Sequence, residues 1–123
     1  MSASTVLDKL KALCEAESLV YLLENDTVDD TFYINTTSIE VPEQYIGNSE
    51  RIGNFQVIIY KQINLVDKFT SEKTIVELGE TVANSIYTNY STDTKIEHIP
   101  EVAFELEDDF KIVTINTIIR YEV

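Results

Sequence analysis

Apolar residues alternate along one stretch of the chain and then recur at helical spacing. Phe55, Val57, Ile59, Ile63 and Leu65 fill the odd positions of the run Phe55–Val66, with Lys61 the exception. A period of two predicts a strand with one buried face. Ile75, Leu78, Gly79, Val82, Ile86 and Tyr90 then share one stripe. That spacing predicts an amphipathic helix beginning near Thr70 or Ser71, both good caps, with Glu72 in its first turn. The even positions of the strand mix Ile58, Tyr60 and Val66 with Gln56, Gln62 and Asn64. This second face is too apolar to be wholly wet. It predicts a second covering element or a subunit contact.

The remaining chain supplies more strand for the same sheet. Ser2 to Glu17 reads as a helix, with Val6, Leu10, Leu13 and Cys14 on one face. Thr5 is placed to cap it, with Asp8 in its first turn. Leu19 to Leu23 is a strand or the end of that helix. Asp26, Asp29 and Asp30 fall in a polar turn. They lack the alternation and the bend glycine of a calcium loop, so the turn reads as solvated. Thr31 to Val41 is rich in β-branched and aromatic residues and predicts a strand that Pro42 ends. Glu43 to Asn54, with Gly47, Asn48, Gly53 and Asn54, reads as a long loop. Tyr45 and Ile46 inside it either tuck onto the body or wait for a partner. Lys95 to Leu106 alternates again, and Pro100 predicts a bulge, an edge or a start at Glu101. Glu107-Asp108-Asp109 reads as a hairpin turn. Phe110 to Val123 is a last strand, apolar on one face, with Ile112 and Ile118 on the more polar one.

These elements predict a single α+β domain over residues 1–123. It has two layers, with two helices on a mainly antiparallel or mixed sheet of about four to five strands, in the order α-β-β-β-α-β-β. The chain is long enough to bury a core without disulfides or a metal.

Charge sets the surface. Nine Lys and Arg stand against 22 Asp and Glu, a net charge of −13. Both halves share it: residues 1–61 carry four basic and ten acidic groups, residues 62–123 five and twelve. Such a surface repels phosphate backbones and anionic membrane, and no basic cluster offers a nucleic-acid site. It can instead give solubility, steer a basic partner, or line a passage through which DNA slides without sticking.

The search for chemistry returns structural readings. Cys14 is the only cysteine, which excludes an internal disulfide, and its place on an apolar helix face reads as core. No secretory leader pattern and no membrane-length apolar run is present, which predicts synthesis in the cytoplasm and no membrane partner. His98 is the only histidine and sits among apolar strand positions, too few ligands for zinc. No nucleophile elbow, phosphate loop or dinucleotide fingerprint occurs. Glu101, Glu105, Glu107, Asp108 and Asp109 read as an edge-protecting face rather than paired catalytic acids. The expectation is a non-enzyme with no cofactor, no metal site and no catalytic residue.

The chain resembles the tail terminator (tail completion) proteins of long-tailed bacteriophages, which are small acidic α/β domains. The likeness is carried by the Val6–Cys14 helix face, the polar loop before Phe55–Val66, the helix Ser71–Tyr90, and the closing strand that ends Ile118-Ile119-Arg120-Tyr121-Glu122-Val123. It covers nearly the whole chain as an architecture. The resemblance implies a structural virion protein assembled in the host cytoplasm. Such proteins form a ring, typically a hexamer, at the head-proximal end of the tail. The ring caps the tail tube, stops its polymerisation and docks the head. The implied partners are further copies of the chain, the tail tube protein and a head-completion or neck protein, with DNA passing through the lumen unread. Neck and head-completion proteins share related folds, so that station stays open. So does a monomeric acidic module that captures a basic partner. The apolar–polar pattern itself marks Ile58, Tyr60, Ile112 and Ile118 on the second sheet face, and Tyr45 and Ile46 in the loop, as candidate subunit contacts.

Overall fold

The computed structural model describes all residues except 23–27, 43–48 and 91–94. Its elements run α1 (Ala3–Glu15), β1 (Val20–Tyr21), β2 (Thr31–Glu40), β3 (Glu50–Gln62), α2 (Lys68–Tyr90), β4 (Lys95–Glu107) and β5 (Phe110–Glu122). The strands form a five-stranded sheet in the order β1-β2-β3-β5-β4. Only the short β1–β2 pair is parallel; the other pairs are antiparallel. The fold is the α+β, two-layer arrangement that the sequence predicts.

The alternation seen in the sequence becomes two sheet faces. Phe55, Val57 and Ile59 of β3 and Val113, Ile115 and Ile119 of β5 are buried under the helices, with Phe32 and Ile34 of β2 beside them. α1 lies over β1 and β2, α2 lies over β4 and β5, and the helices touch each other. Each fully buried aliphatic or aromatic side chain removes enough apolar surface to contribute about 1.5–3 kcal/mol. Cys14 is part of this core. The Tyr90 hydroxyl, also buried, donates to the Val6 carbonyl at 3.0 Å and ties the end of α2 to α1.

One glycine lets α2 reach the sheet. A Cβ on Gly79 would stand 3.2 Å from side-chain carbons of Phe104, Val102 and Val113. The helix approaches there more closely than a side chain comfortably allows. Gly53, read above as a loop former, lies inside β3. The rings of Phe55 and Tyr121 occupy the space its side chain would need, so the strand keeps its apolar cover without a Cβ.

Several boundaries differ from the sequence reading. β3 begins at Glu50 rather than Phe55, because its register with β5 is unbroken from Glu50↔Glu122 to Gln62↔Phe110. Asn54 tolerates the strand because its amide donates to Ser38 Oγ across the pair at 3.0 Å. β3 also stops at Gln62, where its partner strand stops, so Leu65 and Val66 lie outside it. The α1 cap is Ser2, whose Oγ accepts from the Thr5 N–H at 3.3 Å. α2 starts at Lys68, capped by Asp67. The Asp67 carboxylate accepts from the Thr70 N–H at 3.0 Å and the Thr70 hydroxyl at 2.7 Å. Leu19–Leu23 contributes a strand, at Val20–Tyr21. β4 is an edge strand with register shifts between Ile96 and Glu101, around Pro100. The Glu107–Phe110 pair closes the expected hairpin, with Asp108 at φ 53°. Opposite the shifts in β4, Thr117 is 1% exposed, and its hydroxyl has no hydrogen-bond partner among the described residues.

Three outcomes follow from this packing. Gly79→Val overfills the helix–sheet contact and should destabilise by about 1–3 kcal/mol, read as a lower urea midpoint at unchanged slope. Thr117→Val removes a buried, unpaired hydroxyl and should raise stability by about 1 kcal/mol in the same assay. Hydrogen bonds from the Thr70 side chain, then its backbone N–H, hold the Asp67 carboxyl below its ordinary range. A carboxylate so depressed stabilises the fold above its unfolded pKa and loses that effect as pH falls through the folded value. Asp67→Ala should therefore lower the melting temperature at pH 7, and the difference from wild type should shrink toward zero under strong acid.

Candidate subunit-contact face

The sheet face away from the helices has no covering element among the described residues. Register places its residues in rows across the strands. Thr31, Tyr60, Ile112 and Glu105 form one row; Tyr33, Ile58, Thr114 and Ala103 form the next. Asn35, Gln56, Asn116 and Glu101 follow, and beyond them Asn54 faces Ile118. Ile58, Tyr60, Ile112 and Ile118 are half-buried, and Tyr33 is 41% exposed. Strand twist and neighbouring side chains shield them in part, and the remaining apolar surface meets water.

A chain of amides crosses this face. Asn35 Nδ2 donates to Gln56 Oε1 at 3.2 Å, and Gln56 Nε2 donates to Asn116 Oδ1 at 3.0 Å. The bonds run perpendicular to the strands and join β2, β3 and β5. Tyr33, Ile58, Tyr60 and Ile112 stand on one side of the row, and Ile118 on the other. A surface that covers the face must satisfy whatever amide groups it strips of water, since an unpaired buried polar group costs about 1–3 kcal/mol. The apolar rows can supply adhesion, and the amide row can reject a misaligned partner.

Ion pairs mark the margins of the sheet. Arg120 reaches Glu97 of β4, and its Nε lies 2.8 Å from Glu50 Oε1 of β3. These groups are about a third exposed, so such contacts are worth at most about 1 kcal/mol each. At the other end Lys61 pairs with Asp30, and the Gln62 N–H donates to Asp29 Oδ1 at 2.8 Å. The acidic turn before β2 therefore fastens the end of β3. Lys111 Nζ binds both Glu72 carboxylate oxygens at 2.7 Å, joining β5 to α2.

The sequence-marked contact residues fall unequally. Ile58, Tyr60 and Ile112 gather in adjacent rows, with Tyr60 directly opposite Ile112. Ile118 stands apart, beyond the amide row. Tyr45 and Ile46 lie outside the described residues. Tyr33 and the amide chain escaped the sequence reading, because only the pairing register shows that Asn35, Gln56 and Asn116 are neighbours.

Cys14 and the acidic residues of β4 are placed as follows. Burial, and then the charges of Glu15 and Glu17, push the Cys14 thiol up to about 12. It is therefore not a thiolate at neutral pH. Glu101, Glu105 and Glu107 are exposed on the edge strand β4. Among the described residues no group of His, Cys, Asp or Glu side chains is placed to hold a metal ion. No helix there is long and apolar enough to cross a membrane. No protein-family model matches the chain, and no curated protein matches it.

Proposed function

We propose that the chain is a ring-forming structural subunit of a bacteriophage tail, of the tail terminator kind. The ring sits at the head-proximal end of the virion tail, ends growth of the tail tube and presents a docking surface to the head. The observation that carries this reading is the uncovered sheet face. It sets Tyr33, Ile58, Tyr60 and Ile112 in adjacent rows with no covering element among the described residues, and its amide row gives the alignment an assembly contact requires. The charge agrees: a lumen bounded by carboxylates repels phosphate and lets DNA pass without adhering. The partners are copies of the same chain, tail tube protein below and a head-completion or neck protein above. Function is then a matter of surfaces rather than of a reaction.

The same acidity favours a second reading, a monomeric module that captures a basic protein. Light scattering over a range of concentrations, followed by addition of the chain to polymerising tail tube protein, separates the two. The ring reading expects mass to climb toward six times 14.0 kDa and tube growth to stop. A chain that stays monomeric and leaves tube growth untouched belongs to the second class. Ile58→Glu should keep the circular dichroism spectrum of the wild type and abolish assembly. Loss of the fold instead would mark Ile58 as a core residue.

A further inference from the structure

The turn between β3 and α2 holds apolar side chains out in water. Leu65 is 60% exposed, Val66 96% and Phe69 73%. Single exposed aliphatics are ordinary, but several on one turn form a patch. The turn is tied down on both sides of Val66. The Ile63 N–H donates to the Asp109 carbonyl at 2.8 Å, and the Asn64 N–H to Ser71 Oγ at 2.9 Å. The Val66 N–H donates to Asn64 Oδ1 at 2.9 Å, and Asp67 caps the helix that follows. Much of the ordering entropy that docking would cost is thus already spent in the folded monomer. Two lysines flank the patch. Lys73 Nζ stands 5.7 Å from the centre of the Phe69 ring. Lys68 is exposed and makes no ion pair among the described residues, whereas Lys61, Lys111 and Arg120 are bound to carboxylates of their own chain.

A surface of opposite character lies at the β4–β5 turn. A cavity of about 180 Å³ is lined by Glu107, Asp108, Asp109, Phe110 and Ile112. Phe110 and Ile112 are half-buried at its base, and the three acidic residues are exposed. None of those three carboxylates has a cation partner among the described residues. The space admits one aliphatic side chain.

The geometry points to a contact between two copies of this chain, in which the Leu65–Phe69 turn of one enters the Phe110–Ile112 cavity of the other. Val66 fills the cavity, and Lys68 and Lys73 meet the acidic rim. Copies that each carry −13 repel one another in most orientations. This orientation sets cations of one copy against a dense run of carboxylates on the other. The two surfaces adjoin on each copy, where the Ile63 N–H meets the Asp109 carbonyl, so each copy gives and receives through one patch and the contact pairs two copies about a two-fold axis. The inference stands on these two surfaces and is independent of the ring reading.

Val66→Asp tests the apolar half. The side chain is almost fully exposed in the monomer, so its circular dichroism and urea midpoint should match wild type. Its self-association, followed by light scattering, should weaken at least tenfold. Lys68→Glu and Asp109→Lys test the charged half. Each alone should weaken association, because each sets like charges together, and an equimolar mixture of the two should restore it. If wild type associates and these variants associate equally well, this contact is wrong while the ring reading stands. Weakened variants that mixing fails to restore also overturn it. A wild type that remains monomeric at every concentration overturns the contact too, and the ring reading is then decided separately by whether tube growth stops.

Discussion

The pairing of β3 with β5 is the constraint on which the rest of the molecule depends. The two strands stay in register from Glu50↔Glu122 to Gln62↔Phe110, and between them they form the middle of the sheet. β5 inserts between β3 and β4, so the last strand of the chain completes the centre rather than an edge. A slip of one residue would turn Phe55, Val57 and Ile59 to the open face and Gln56 and Tyr60 to the helices. Both faces would fail at once. The same register opposes Tyr60 to Ile112 and threads Gln56 between Asn35 and Asn116. Core and candidate contact face are thus two readings of one alignment.

Charge is arranged around that sheet in a telling way. Three cations each fasten a margin. Lys61 holds the turn before β2 to the end of β3, Lys111 holds β5 to α2, and Arg120 joins β5 to Glu50 and Glu97. Lys61 and Lys111 are only 16% and 17% exposed, so they are less screened than ordinary surface pairs. Other carboxylates stand elsewhere, among them Glu101, Glu105 and Glu107 on β4. There they do what charges on an edge strand commonly do, which is to discourage another strand from adding. Pro100 and the register shifts act in the same direction. An acidic edge therefore guards the sheet while the open face beside it stays half apolar.

Most of the fold was legible because its elements obey strong periods. The α1 stripe of Val6, Leu10 and Cys14, the odd positions of β3 and the α2 stripe ending in Tyr90 are all buried as their spacing predicts. The errors came where a local preference was outvoted. Gly53 and Asn54 favour turns, yet cover by Phe55 and Tyr121 and a bond to Ser38 hold them in a strand. Thr70 and Ser71 favour caps, yet Asp67 takes that place and draws the helix start back by a few residues. Ile63 and Leu65 continue the apolar alternation beyond Gln62, but there is no partner strand there for them to join. The mixed even face of β3 was visible as a pattern. Its amide row was not, because residues so far apart in sequence become neighbours only through pairing.

The open face and the β3–α2 turn are unlike in kind, and their difference bears on how copies would meet. The face is broad, half-shielded and crossed by polar groups. It gains little from a loose fit, since a misplaced partner strips water from the amides without replacing it. The turn is small, exposed and held by its own hydrogen bonds, so it gains from shape and from its lysines. Phe110 and Ile112 lie where the two requirements touch. Ile112 stands in the first apolar row of the face and also lines the acidic-rimmed cavity. A neighbour that seats a side chain in that cavity is thereby brought against the edge of the apolar rows, and the amide row then decides whether the rest of the face may close.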